Sequence, residues 1–221
     1  ADQEVLEYLA EIKNSTRKFS EDFLSHYWTR PFTKLHDEIF RVLDDDNIKR
    51  ALILAPRGIG KTSIATLAFP LKKMLFRDSR YIISLGASAD TAMEQTENLK
   101  AEIRNNEKIK EVFGNLSKAQ MSKEEWHLSF HDDPIGSKIL PRGAGQKVRG
   151  RRHQQYRPDL VIVDDLEDDK SAKSDMQRND IKSWFFASLS NITDVYGSDW
   201  RMVVIGTILH QDSLLANLRD L

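Results

Sequence analysis

Short, mostly apolar runs alternate along this chain with longer segments in which apolar residues recur at helical spacing. Four of these runs have the composition of strands buried on both faces, at residues 50–55, 80–86, 160–163 and 202–205. The helical spacing predicts helices at residues 3–14, 20–27, 33–43, 63–76 and 88–105, a short one that ends near 113, and further helices at 174–190 and 211–220. This alternation predicts an α/β fold in which helices flank a central, mostly parallel sheet.

Residues 126–141 have a different pattern, which predicts a β-hairpin. Its arms are residues 126–130 and 137–140, and Pro134 and Gly136 lie between them. Two apolar arms separated by turn-forming residues are typical of such a connection.

Length and composition fit one domain. The chain has 221 residues, of which 40% are hydrophobic, and this is enough for a sizeable core. No repeat, low-complexity tract or linker interrupts the pattern. The simplest partition is an N-terminal helical extension at residues 1–47 followed by one core domain at residues 48–221.

Charge and cysteine content exclude several kinds of site. Charged residues make up 30% of the chain, yet the formal net charge is −1, so only local patches can indicate a nucleic-acid partner. The absence of cysteine excludes disulfides, thiolate metal sites and thiol nucleophiles. No apolar stretch approaches the roughly 18 residues that span a bilayer. We therefore expect an intracellular protein, or part of one, with no membrane partner.

The segment APRGIGKT at residues 55–62 joins the first apolar run to a helix. A strand, a glycine-containing loop, Gly-Lys-Thr and a helix, in this order, are typical of a P-loop (Walker A), whose backbone N–H groups surround the phosphates of ATP. Lys61 then reaches the β and γ phosphates, and the Thr62 hydroxyl binds Mg²⁺. The predicted nucleotide contacts are Pro56, Arg57, Gly58, Ile59, Gly60, Lys61, Thr62 and Ser63.

Two residues of this loop depart from the usual pattern. Ala55 stands where the first glycine usually lies, and Arg57 adds a cation. An arginine at this position could neutralise charge on the γ phosphate in the transition state, as a catalytic residue of the same subunit. Alternatively, Arg57 bridges the loop to a nearby carboxylate.

A second strand-end motif, PDLVIVDDLE at residues 158–167, has the form of a Walker B element. Its apolar strand delivers carboxylates to the edge of the sheet where Lys61 is also expected. Asp164 is the predicted acid of the Mg²⁺ shell, and the base that orients the attacking water is Asp165 or Glu167.

The last apolar run ends in Gly206 and Thr207. A hydroxyl at the tip of a neighbouring strand could sense the γ phosphate and couple its loss to movement. The alternative is a plain turn from strand to loop.

Residues 138–157 form a basic segment, since they include seven cationic residues and no acid. Three interpretations are open: contacts with DNA phosphates, an arginine finger inserted into a neighbouring subunit's ATP site, or cations that pair with the following acidic loop or are simply solvated. The cationic residues are Lys138, Arg142, Lys147, Arg149, Arg151, Arg152 and Arg157.

Aromatic residues precede the P-loop strand. Tyr27, Trp28 and Phe32 could stack on adenine, although such residues more often pack in a core. His36, on the following helix, is predicted to be structural.

Three segments, APRGIGKTS, KVRGRRHQQYRPDLVIVDDLED and VVIGTILHQDSLL, occur in this order. Together they resemble the N-terminal ATPase domain of the large terminase subunit of tailed bacteriophages, from about Tyr27 onward. The resemblance implies an additional-strand (ASCE, RecA-like) P-loop ATPase that hydrolyses ATP with Mg²⁺ and drives double-stranded viral DNA into a procapsid. It also implies a ring of copies at the capsid portal protein, the small terminase subunit as a partner, and a location in the host cell cytoplasm.

The resemblance implies a role for each motif. Arg57 matches the cis-acting arginine, Lys61 and Thr62 the phosphate and Mg²⁺ contacts, and Asp164 the Walker B acid. Two further matches are Gly206 and Thr207 for the coupling motif, and Arg149 for a trans-acting finger, a role that Arg151 or Arg152 could take instead.

The chain departs from the family pattern at Asp165, where many relatives have the catalytic glutamate, so Asp165 and Glu167 share that assignment. The nuclease domain that usually follows has no counterpart in these 221 residues, so no nuclease activity is expected of them. Two other functions are weighed: a helicase-like translocase, which needs a second RecA-like domain, and a nucleotide-gated assembly module with little turnover.

Overall fold

A six-stranded sheet forms the centre of the protein in a computed structural model that describes residues 3–114, 116, 122, 124–189, 192–193 and 199–221. The strands lie in the order β1-β6-β5-β2-β4-β3, and all neighbours are parallel except β3 and β4. The predicted α/β fold with a mostly parallel sheet is therefore confirmed. The strands are β1 Arg50–Leu54, β2 Tyr81–Gly86, β3 Trp126–Phe130, β4 Asp133–Gly143, β5 Leu160–Asp164 and β6 Arg201–Gly206.

Helices cover both faces of this sheet. Short 3₁₀ turns lie at Ser25–Tyr27 and Ser171–Lys173, and a π-helical segment, Ser63–Ala68, leads into α4. The α-helices are α1 Gln3–Asn14, α2 Thr16–Phe23, α3 Lys34–Asp44, α4 Phe69–Leu75, α5 Ala89–Asn105, α6 Glu107–Phe113, α7 Asp175–Leu189 and α8 Leu214–Arg219. None of these helices is long and apolar enough to cross a membrane.

Alternate residues of the central strands enter two separate apolar layers. Ile82 and Ile162 pack with α1 to α6 in one layer, whereas Ile83 and Val161 pack with α7 and α8 in the other. Burial on both faces explains why the strands are nearly continuous apolar runs. The N-terminal helices share the first layer with the sheet, and the partition at residue 47 stays a prediction.

Two predicted helices differ from the observed ones. The helix predicted at residues 20–27 begins instead at Thr16, because the Ser15 hydroxyl accepts a hydrogen bond from the Lys18 backbone N–H at 3.1 Å and caps it. The helix predicted at 63–76 opens as a wider π-helical turn. Pro70 lacks a backbone N–H and lies in the first turn of α4, where a proline is tolerated.

The predicted hairpin forms the edge of the sheet, but its turn lies elsewhere. Pro134 and Gly136 are inside β4, and the chain reverses at residues 131–132. Gly136 has a φ of +57°, and a Cβ there would lie 1.7 Å from the Leu128 carbonyl oxygen. The glycine therefore permits a close approach of two strands rather than a turn.

Candidate functional site

The carboxyl ends of three adjacent strands meet at one edge of the sheet. β1 continues into the P-loop, β5 ends at Asp164, and β6 ends at Gly206 between them. Hydrogen bonds extend the pairing past the strands: the Ala55 N–H donates to the Gly206 carbonyl at 3.1 Å, and the Asp165 N–H to Ile205 at 3.0 Å. This edge is where open α/β sheets bind ligands. The three predicted motifs therefore lie together at this edge.

The loop predicted to be a P-loop has two glycines in the left-handed backbone region. Gly58 and Gly60 have φ values of +81° and +79°, which other residues adopt only with strain. The Ile64 N–H donates to the Gly60 carbonyl at 3.1 Å, so the loop turns directly into the helical segment. Backbone N–H groups at such a turn attract anions.

The segment before α3 supports this loop from outside. Trp28 packs against Gly60, where a Cβ would lie 3.3 Å from the indole ring. Phe32 packs between Trp28 and Phe40, with ring centroids 5.0 and 4.9 Å away. Trp28 and Phe32 thus pack on the outer side of the P-loop. Stacking of these aromatic residues on adenine stays a prediction.

His36 holds the loop by a hydrogen bond that sequence reasoning missed. Its Nδ1 accepts from the Thr33 backbone N–H at 2.9 Å, and its Nε2 lies 2.8 Å from the Ile59 carbonyl oxygen. Because a backbone N–H can only donate, Nδ1 is the acceptor and Nε2 carries the hydrogen that binds Ile59. The histidine is structural, as predicted, but the structure that it supports is the P-loop.

Lys61, Asp165 and Thr207 are linked side by side. Lys61 is only 5% exposed, and its Nζ lies 3.4 Å from Asp165 Oδ2. Asp165 Oδ1 accepts from the Thr207 N–H at 2.9 Å, and the Thr207 hydroxyl donates to the Ala55 carbonyl at 2.9 Å. Thr207 therefore joins the start of the P-loop to the carboxylate beside Lys61.

Asp164 is almost fully buried beneath this cluster. Burial raises its pKa to about 6, the charge of Asp165 acts in the same direction, and Thr62, Lys61 and Gln95 oppose both. Gln95 Nε2 donates to Asp164 Oδ2 at 3.0 Å. Gln95 lies in no motif, so nothing in the sequence indicated it.

Glu167, the other candidate base, faces a different element. Its Oε2 accepts from the Leu214 N–H at 2.8 Å, at the start of α8. Burial raises its pKa, while that hydrogen bond and the cations Lys182 and Arg178 lower it. Of the two carboxylates, Asp165 is the one in contact with Lys61.

Arg57 forms a two-pronged ion pair with Asp169. Its Nη1 and Nη2 lie 3.1 and 2.9 Å from the two carboxylate oxygens, and both side chains are more than half exposed. The hydrogen bond and charge of Arg57 lower the pKa of Asp169. The alternative role of Arg57, an ion pair with a nearby carboxylate, is thus present in the structure. A phosphate could bind the same guanidinium group in place of Asp169.

The basic segment forms an arginine-lined concavity of about 410 Å³. The Arg149 Nε lies 3.4 Å from the Ser188 carbonyl oxygen, and Arg151 Nη1 lies 3.8 Å from Glu125. Within the described part of the chain, the ion pairs of this segment go to Glu125 and none reaches the acidic loop after β5. The concavity is lined by Val148, Arg149, Gly150, Arg151, Arg152, Arg157 and Ile192.

Comparison with known proteins yields structural similarity without sequence similarity. No protein-family model matches the chain, and no curated protein matches its sequence. The crystal structure of the HK97 bacteriophage large terminase superposes with a TM-score of 0.60 at 15% identity, over 94% of this chain and 40% of that one. The Thermus phage P74-26 large terminase ATPase domain superposes with a TM-score of 0.57 at 16% identity, over 86% of this chain and 68% of that one. Over most of its length, the chain therefore has the fold of phage large terminase ATPase domains.

Proposed function

We propose that this chain is the ATPase of a viral DNA-packaging motor, which couples Mg²⁺-dependent hydrolysis of ATP to movement of double-stranded DNA into a procapsid. The observation that carries the proposal is the meeting of Lys61, Asp165 and Thr207 at one sheet edge, beside a glycine-containing phosphate loop. The fold shared with terminase ATPase domains supports the DNA-packaging role.

The residues present fit Mg²⁺. No cluster of three or more His, Cys, Asp or Glu that could hold a metal alone occurs among the described residues. Mg²⁺ in nucleotide sites is usually held by one or two protein oxygens, phosphates and water, and Thr62 and Asp164 would supply the protein side. The Asp164 carboxyl, which lies between Gln95 and the side chain of Thr62, offers an acceptor for its water shell. When bound, the ion offsets charge on the β and γ phosphates.

In the proposed mechanism, the loop from Pro56 to Ser63 wraps the phosphates, and Lys61 and Arg57 offset charge on the γ phosphate. Asp165 orients the attacking water, since it is the carboxylate next to Lys61. Arg149 of a neighbouring copy completes the site, with Arg151 or Arg152 as substitutes. Little covalent chemistry is required of the protein, so positioning and charge supply most of the rate enhancement.

Coupling to movement starts at Thr207 in this proposal. Its hydroxyl holds the start of the P-loop, and its N–H holds Asp165. A shift of either group on loss of the γ phosphate moves the end of β6, which continues toward α8. Gly206 and Thr207 are thus the coupling residues.

The proposed partners are double-stranded DNA, further copies in a ring, the capsid portal protein and the small terminase subunit, in the host cell cytoplasm at the procapsid portal.

The first test is steady-state phosphate release by the purified chain, with and without double-stranded DNA. Lys61→Ala should abolish turnover, because it removes the cation at the phosphates, whereas the exposed Lys108→Ala should not. Near-normal turnover of Lys61→Ala would contradict the site assignment.

A parallel comparison identifies the base. Asp165→Asn should lose turnover, and Glu167→Gln, whose partner is α8, should keep most of it. The reverse result would move the base to Glu167.

Strand displacement would favour a helicase-like translocase, and ATP binding without turnover, even with DNA and partners, would favour an assembly module.

A further inference from the structure

Gln95 reaches the nucleotide site from a helix that carries none of the sequence motifs. α5 begins soon after β2 ends, and β2 is the neighbour of β5 in the sheet. The side chain of Gln95 thereby meets Asp164 at the end of β5, and Nε2 donates to Oδ2 at 3.0 Å. An ionised carboxylate can only accept, so the amide nitrogen must face it and the amide oxygen must face elsewhere.

One buried acceptor of this pair, the amide oxygen of Gln95, is left without a donor by this arrangement. Gln95 Oε1 is buried and has no hydrogen-bond partner among the described residues, whereas the Asp164 carboxyl also interacts with the Thr62 side chain, which lowers its pKa. Buried polar atoms are nearly always paired in folded proteins, so an unpaired one needs an explanation. If Gln95 served only to hold α5 against β5, its unpaired Oε1 would have no explanation.

We propose that Gln95 is a positioning residue for Mg²⁺: its Nε2 fixes the Asp164 carboxylate, and its Oε1 accepts from the water shell of the ion. The inference rests on the proposed function, in which Mg²⁺ and nucleotide bind at this edge. Mg²⁺ keeps several of its waters when it binds to proteins, and those waters need acceptors. Groups that orient a metal ligand typically change metal affinity about 10- to 100-fold when removed.

The test is nucleotide affinity as a function of Mg²⁺ concentration, measured with a fluorescent ADP analogue. Gln95→Met keeps the length of the side chain and removes both polar atoms. The Mg²⁺ midpoint should rise roughly 10- to 100-fold, while affinity in excess EDTA stays unchanged. Asn98→Met, an amide-to-Met change at an exposed position of the same helix, should alter neither value.

A second variant shows whether Gln95 acts through Asp164. In an Asp164→Asn background, Gln95→Met should shift the Mg²⁺ midpoint much less than in the wild type, since coupled residues are not additive. Equal loss of nucleotide affinity with Mg²⁺ and with EDTA, or no shift at all, would overturn the inference and leave Gln95 a packing residue. Wild-type protein that binds nucleotide equally well without Mg²⁺ would instead refute the Mg²⁺ part of the proposed function.

Discussion

Gly206 is the residue whose lack of a side chain lets the site assemble. A Cβ at this position would lie 2.6 Å from Leu215 Cδ1 and 2.7 Å from Asp165 Oδ1. The second contact involves the carboxylate that also meets Lys61 and the Thr207 N–H. A methyl group there would push Oδ1 of Asp165 away from the Thr207 N–H.

We therefore expect Gly206→Ala to lower turnover at least tenfold and to cost about 1–3 kcal/mol of unfolding free energy through overpacking. Gly86→Ala is the matched control, because it also ends a buried strand and its Cβ would make only ordinary contacts, at 3.4 Å or more. Steady-state turnover and urea unfolding of both variants test this. Equal behaviour of the two alanines would show that Asp165 tolerates displacement.

His36 gives a second prediction at the scale of single residues. His36→Ala removes the hydrogen-bond partner of the Ile59 carbonyl and the Thr33 N–H, both reachable by water, so each lost bond costs about 0.5–1.5 kcal/mol. The affinity for ATP should therefore fall roughly fivefold or more. His36→Gln offers one donor and one acceptor and should retain most of the affinity. Titration calorimetry on both variants is the measurement, and an unaffected alanine variant would show that the loop holds itself.

At the scale of elements, the connection between β4 and β5 brings four exposed arginines to one concavity. The two functional interpretations of this concavity, an arginine finger and a DNA contact, predict different defects when an arginine is replaced. A finger stabilises the transition state in a neighbouring site, whereas a DNA contact changes affinity and salt dependence.

Arg149→Ala should lower DNA-stimulated turnover of the assembled motor by roughly 1,000-fold or more and leave the affinity for ATP unchanged. Arg157 lines the same concavity and has no ion pair among the described residues. It therefore serves as the comparison residue for a contact with the DNA backbone. Arg157→Ala should weaken DNA binding and reduce the salt slope by about 0.9. If Arg149→Ala changes DNA binding alone, that arginine is a backbone contact as well.

At the scale of the whole molecule, one carboxylate at the start of β5 makes stability depend on pH. Asp159, just before β5, accepts hydrogen bonds from the Ser79 hydroxyl and the Arg80 N–H, and so joins the starts of two strands. Burial nevertheless raises its pKa to about 6. The folded protein then holds a proton that the unfolded chain loses near pH 4.

The raised pKa of Asp159 determines whether its contribution to stability rises or falls with pH. Between about pH 4 and 6 the native state binds more protons than the unfolded state, so the contribution of Asp159 to stability falls as pH rises and is constant above pH 7. Asp159→Asn removes this dependence. The stability of the variant relative to wild type should therefore increase from pH 4 to pH 6 and then level off. Urea unfolding across that range tests it, and a flat difference would mean that Asp159 titrates normally in the fold.

The sequence by itself determined the class of fold, the order of the motifs and the edge at which they meet. Apolar periodicity and strand-end motifs are local, so they can be recognised without knowing which strands are neighbours. It also predicted that Lys61 and Asp164 point to the same edge, since carboxyl ends of parallel strands lie together. Helix bounds were less certain where a cap, as at Ser15, or a proline set them.

Only the tertiary structure decided which side chains meet. Gln95 contacts Asp164 across 69 residues of chain, and His36 reaches Ile59 from another helix. The fold also turned Glu167 toward α8 and placed Asp165 against Lys61, although the two carboxylates are only two residues apart in sequence. Such partners depend on strand order, helix rotation and side-chain direction together. These are properties of packing, which no single segment encodes.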